Sequence, residues 1–157
     1  MTTKINADYQ ATIMVPIGAH EAFEGICQVS SWWTKNFKGR ASKLGDTFSV
    51  YFGETYSDFE IIEMSKDRKI VWYVKDCNMH WLKDKKEWKG TRIQWEIVPA
   101  NGAAEIHMTH IGLKPGIECF EDCQIGWNHY VTQSLFKLLS DGKGVPDHPN
   151  HSARDRQ

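Results

Sequence analysis

The sequence has 157 residues with 19 basic and 20 acidic side chains, which fits one domain with a real core and no electrostatic claim on nucleic acid. A hydrophobic fraction of 41% excludes a disordered chain, and the basic run Lys83-Asp84-Lys85-Lys86 contains an acid and reads as a solvated turn. The opening MTTKINADYQATIMV lacks the apolar core of a signal peptide and no run approaches the ~20 apolar residues of a membrane span. The expectation is a cytoplasmic protein without membrane insertion, with Cys27, Cys77, Cys119 and Cys123 as free thiols.

In chain order, Asp8 to Val15 alternates, with Tyr9, Ala11, Ile13 and Val15 on one face of a strand. Pro16 ends it. Gly18 to Ile26 predicts a short helix with Ala22, Phe23 and Ile26 facing inward, and Ser30-Ser31-Trp32-Trp33 a further helical turn. From Phe37 the period becomes two. Phe37 to Ala41 is a weak strand, and Leu44-Gly45-Asp46 is a turn. Thr47 to Phe52 puts Phe48, Val50 and Phe52 on one face. Tyr56 to Met64 is a strand whose faces stay unassigned, because Ile61 and Ile62 compete. Ile70, Trp72 and Val74 share a face of the next. Cys77 to Lys89, with Trp81, Leu82 and Trp88 among charges, either extends a hairpin or forms a flap. Thr91 to Val98 alternates clearly, with Ile93, Trp95 and Ile97 one way. Asn101-Gly102 is a hairpin turn, and Ala104, Ile106, Met108 and His110 return on the same face.

Ile117 to Asp141 carries Phe120, Cys123, Trp127, Tyr130, Val131, Ser134, Leu135 and Leu138 at three- and four-residue steps, the repeat of one helix face. Gly142, Gly144 and Pro146 end it. Residues 8–146 are read as one domain, and 147–157, without an apolar anchor, as a mobile tail. The fold class is α+β. A curved antiparallel β-sheet of about six to seven strands wraps around a long C-terminal α-helix, with two short helices after strand 1.

This order, with Trp32-Trp33-Thr34, Leu44-Gly45-Asp46-x-Phe48, Thr109-His110-Ile111-Gly112-Leu113, Gly126-Trp127, Ser134-Leu135 and Gly142-Lys143-Gly144-x-Pro146, resembles the START/Bet v-like (SRPBCC) superfamily. Within it, the residues are similar to homologues of the activator of the heat-shock-protein-90 ATPase. The resemblance covers about Asp8 to Pro146 and implies the helix-grip fold with an internal pocket between sheet and helix. No catalytic set belongs to that branch, so none is carried over. The founding co-chaperone activity depends on an additional N-terminal domain absent from this sequence.

The aromatic content, 12% with seven Trp, is either a ring-rich core or the wall of a cavity. The ligand-lining candidates on the sheet side are Trp33, Phe48, Val50, Phe52, Trp72, Trp95 and Met108. Those on the helix are Trp127, Tyr130 and Val131. His110 is either a satisfied core side chain or a polar handle in the pocket. The expected ligand is a small apolar or amphipathic molecule, with no cofactor and no metal. Cys119 and Cys123, four apart, lack zinc-ribbon spacing and read as packed thiols. His148 and His151 sit in the tail. The sequence contains no GxSxG, HExxH, phosphate loop or GxGxxG. Two alternatives stand beside ligand binding. One is a cyclase- or hydrolase-like enzyme using His110 with an acid such as Glu60, Glu63 or Asp76. The other is a module that contacts a chaperone or a second copy of itself through Trp81 or Trp88.

Overall fold

The computed structural model describes residues 7–147. His148 and His151 lie outside the described residues. Seven antiparallel strands form one sheet in the order β1-β7-β6-β5-β4-β3-β2. They are β1 (Tyr9–Val15), β2 (Phe37–Gly39), β3 (Thr47–Phe52), β4 (Thr55–Ser65), β5 (Lys69–Asn78), β6 (Arg92–Ala100) and β7 (Ala103–Ile111). Helices α1 (Ala19–Cys27) and α2 (Val29–Trp32) follow β1, and the long helix occupies the C-terminal end. The sheet curves around that helix, which is the helix-grip fold. From β2 to β7 each strand pairs with its successor, and the first strand closes against the last, Ile13 opposite Ile106.

The period-two faces explain the register. Tyr9, Ala11, Ile13 and Val15 are buried while their neighbours are exposed, and Ala104, Ile106, Met108 and His110 answer them from β7. Asn101 and Gly102 both take positive φ, 51° and 82°, which the two-residue hairpin between β6 and β7 requires. The competition between Ile61 and Ile62 has a structural cause. A register shift falls between Ile61 and Glu63, so Ile62 is the extra residue of a bulge and stands 41% exposed while Ile61 is buried. A second shift, between Asp58 and Phe59, leaves Lys75 unmatched. Cys77 is thereby turned inward opposite Ser57, and it belongs to β5 rather than to the connection that follows.

The long helix is not uniform. It runs as α3 (Phe120–His129), a π-helical segment (Tyr130–Leu135) and α4 (Phe136–Asp141). Its buried stripe is Cys123, Trp127, Val131, Leu135 and Leu139, a strict four-residue spacing. In an α-helix each four-residue step overshoots a full turn by about 40°, so this stripe would wind off the sheet. The wider π turn takes up the overshoot and holds the stripe against it. Ser134, on the same segment, donates to Trp32 O at 2.6 Å and accepts from Val145 N at 2.7 Å. It thus ties the helix to α2 and to the chain after Gly142.

Asp147, placed by the sequence at the start of a tail, is instead held. Its N–H donates to Trp33 O and its carbonyl accepts from Lys35 N, in a bridge with Thr34. The cause is backbone pairing, which needs no apolar side chain.

Candidate functional site

Beneath the long helix the space is filled chiefly by indoles. Trp32 and Trp33 enter from α2, and their rings stack with centroids 5.8 Å apart. Both also lie nearly parallel to Trp72, at 6.4 and 6.1 Å, while Trp95 meets Trp32 and Trp72 edge-on. Trp32 Nε1 donates to Ile26 O at 3.1 Å, which fixes the plug to α1. Phe48, Phe59, Val50, Met108 and Val131 close round it. The central volume is therefore core.

His110 belongs to the same interior and is fully buried. Its Nδ1 accepts from Trp127 Nε1 at 3.0 Å, which puts the imidazole proton on Nε2. Nε2 then donates to Thr91 Oγ1 at 2.9 Å, and Thr91 donates to Trp88 O at 2.6 Å. Desolvation holds the imidazole pKa down at about 3, so the ring is neutral. This is the geometry of a satisfied core side chain. Both nitrogens are committed, and among the described residues no carboxylate is hydrogen-bonded to the ring. Glu63 pairs with Lys69 at 3.2 Å and Asp76 with Lys86 at 3.0 Å. Glu60 alternates with buried Phe59 and Ile61, so it faces away from the concave side.

A cleft of about 100 Å³ remains at one end of the sheet. Its walls come from three directions. Trp33 and Phe52 form its floor with Thr55 and Ser57, the inward residues at the start of β4. Met79, Trp81 and Trp88 come from the β5–β6 connection. Asp122, Cys123, Gly126, Trp127 and Tyr130 come from the helix. Of the sequence candidates, Trp33, Phe52, Trp127 and Tyr130 meet here. Phe48, Val50, Trp72, Trp95, Met108, His110 and Val131 are buried and not among its walls: Trp32 and Trp33 cover Trp72, Trp32 covers Trp95, and Trp88 and Trp127 cover His110. Two signals for the missed residues were in the sequence. Thr55 and Ser57 are small hydroxyl residues on the inward parity of Phe59 and Ile61. Gly126 interrupts a helix, and a Cβ built there meets nothing within 4 Å.

The rings of the cleft brace one another. Trp33 and Trp127 have centroids 4.8 Å apart, and Trp127 stacks on Trp88 at 5.9 Å and 6°. Phe52 contacts Trp33 at 6.0 Å and Tyr130 at 6.1 Å. The connection that carries Trp81 and Trp88 is neither an extended hairpin nor a loose flap. Glu118 accepts from the N–H groups of Lys83 and Asp84, and Glu87 accepts from those of Glu118 and Cys119. These reciprocal clasps pin the connection to the chain entering α3. The two N–H donors to Glu118 lower its pKa. Trp88 is buried and Trp81 half-buried, so neither stands out as a bare interface anchor.

Cys119 and Cys123 lie at the inner edge of this region. The Cys119 thiol pKa is raised, first by its hydrogen bond with Cys123 and then by burial, so neither factor favours a reactive thiolate. Among the described residues no three His, Cys, Asp or Glu side chains gather as a metal set, and no helix is long and apolar enough to cross a membrane.

No family model and no curated protein matches the chain. Solved structures do. The Aha1 dimer from Colwellia psychrerythraea matches with a TM-score of 0.71 at 18% identity, over 87% of this chain and 98% of that one. Protein SSP2350 from Staphylococcus saprophyticus matches at 0.67 and 12% identity, over 90% and 98%. DynU16, from the dynemicin biosynthetic locus, matches at 0.61 and 16%, over 86% of this chain and 48% of that one. At these identities the likeness is one of fold: the chain has the helix-grip fold that the Aha1 structure shares.

Proposed function

We propose that this protein is a ligand-binding module, which takes the end of a small apolar or amphipathic molecule into the cleft between the β5–β6 connection and α3. The observation that carries this reading is a ring-walled cleft beside a ring-packed core. About 100 Å³ amounts to roughly three waters' share of liquid volume. That is small beside the ~300–1,000 Å³ of pockets for drug-sized ligands, so the cleft suits a head group or a single ring. The rest of such a molecule would lie at the mouth, along Trp81 and Tyr130.

The test exploits Gly126. Gly126→Leu adds a side chain at a lining position where a Cβ meets nothing within 4 Å. Native mass spectrometry of the protein from its host, and displacement of a lipophilic dye, should show bound material in the parent and none in the variant. Equal occupancy in both proteins would rule the cleft out.

Self-association is a second reading. Ile125, 65% exposed on α3 beside Gly126, favours it, as does the dimeric state named for the Colwellia structure. Sedimentation velocity of the parent and of Ile125→Lys tests it: a dimer lost in the variant supports it, and a monomeric parent refutes it. A chaperone contact has no comparable feature behind it.

A further inference from the structure

The chemistry of the cleft walls narrows the class of ligand, provided that the ligand-binding reading above holds. Six of the lining side chains are aromatic: Trp33, Phe52, Trp81, Trp88, Trp127 and Tyr130. Among the described residues the single charged one in the lining is an acid, Asp122, exposed on the first turn of α3, and no Lys, Arg or His lines the cleft. Two ammonium groups of the connection are engaged elsewhere: Lys85 Nζ donates to the carbonyls of His80 and Leu82, and Lys86 Nζ pairs with Asp76. An aromatic face carries negative electrostatic potential, and several faces round one small space attract a weakly hydrated cation. A carboxylate at the rim adds to that attraction. The same walls repel a carboxylate or phosphate, which would find no basic partner among them.

We propose that the cleft receives the head of an organic cation, of the quaternary or tertiary alkylammonium class, against its aromatic walls, with Asp122 at its entrance. The size agrees, since a compact trimethylammonium-type head is of the order of the available ~100 Å³. Rigidity agrees too. Trp127 is held by His110, Trp88 by stacking on Trp127, and the connection by the two glutamate clasps, so the cage exists before the ligand arrives.

The experiment compares choline with its uncharged isostere 3,3-dimethylbutan-1-ol and its anionic counterpart 3,3-dimethylbutanoate. Tryptophan fluorescence and isothermal calorimetry follow each titration into the parent, Asp122→Asn and Gly126→Leu. The expected result is a choline affinity at least about tenfold above that of the neutral isostere. The anion should bind undetectably. Asp122→Asn should weaken choline severalfold while leaving the isostere unchanged, and Gly126→Leu should abolish both. An isostere that binds as well as choline, or an anion that binds better, overturns the cation assignment and leaves the ligand-binding reading intact. If no probe binds the parent, the cation assignment falls and the lipophilic dye alone decides the ligand-binding reading; if Gly126→Leu binds like the parent, both fall.

Discussion

Trp127 on the long helix donates its indole N–H to Nδ1 of His110 on β7, at 3.0 Å. This bond joins the helix to the sheet, fixes the tautomer of the histidine and orients one wall of the cleft. Replacing His110 by Leu would leave the buried Trp127 N–H without an acceptor, which costs about 1–3 kcal/mol beyond any packing change. His110→Gln keeps an acceptor and a donor and should lose less. Urea midpoints of the two variants check this, with the Leu form expected to be the weaker.

The same histidine sets a pH dependence. Its folded pKa is about 3, and the unfolded value is near 6.5. Above pH ~6.5 both states are neutral and the contribution is complete. As pH falls the unfolded chain takes a proton that the folded chain refuses, so stability declines toward pH 3, with a slope approaching ~1.4 kcal/mol per pH unit. The difference between the parent and His110→Gln, measured by urea unfolding from pH 7 to pH 4, isolates this term. A flat difference would show that the ring accepts a proton in the folded state.

Two glycine-to-alanine changes should move stability in opposite directions. At Gly126 the added methyl meets nothing within 4 Å, and the helix gains roughly 0.5–1 kcal/mol from reduced backbone freedom. At Gly144 it would stand 2.5 Å from Ser31 O and 3.1 Å from Ser134 O, and should cost about 1–3 kcal/mol. Thermal melts of the two variants decide the signs.

The clasps on the β5–β6 connection predict a local effect. In Glu118→Gln the acceptor of the Lys83 and Asp84 N–H groups loses its charge, so those two amides should exchange hydrogen faster than in the parent. Exchange in β6 and β7 should stay unchanged. Because the folded pKa of Glu118 is depressed, acidification through it should reproduce the loosening in the parent. Equal exchange in both proteins would show that the connection is held by other contacts.

The periodicity of the chain made most of the fold legible. Thr47–Phe52 is the strand expected, Asn101-Gly102 is the hairpin turn between β6 and β7, and the inward parity of Ala104 to His110 is the observed one. Parity is local, fixed by which side chains must leave water, so a sequence displays it. Motifs that only suggested a resemblance acquired reasons. Ser134 staples α2 to the chain end, and Asp46 Oδ2 caps the turn by accepting from the N–H groups of Ser42 and Lys43.

By itself the sequence determined the element order, the inward faces and the ring-rich interior, because each follows from spacing along a few residues. It left open the bulge at Ile62, whose outcome depends on β5 opposite it, and the π segment, whose only trace was the four-residue spacing from Cys123 to Leu139. Tertiary structure decided where the empty space lies. Trp32 and Trp33 swing from α2 into the concave face and turn Trp72, Trp95 and Met108 from pocket wall into core. The vacancy is displaced toward Thr55, Ser57, Trp88 and Gly126. Volume left over in a packed interior is a difference between the fillings of many distant residues, and no local pattern records it.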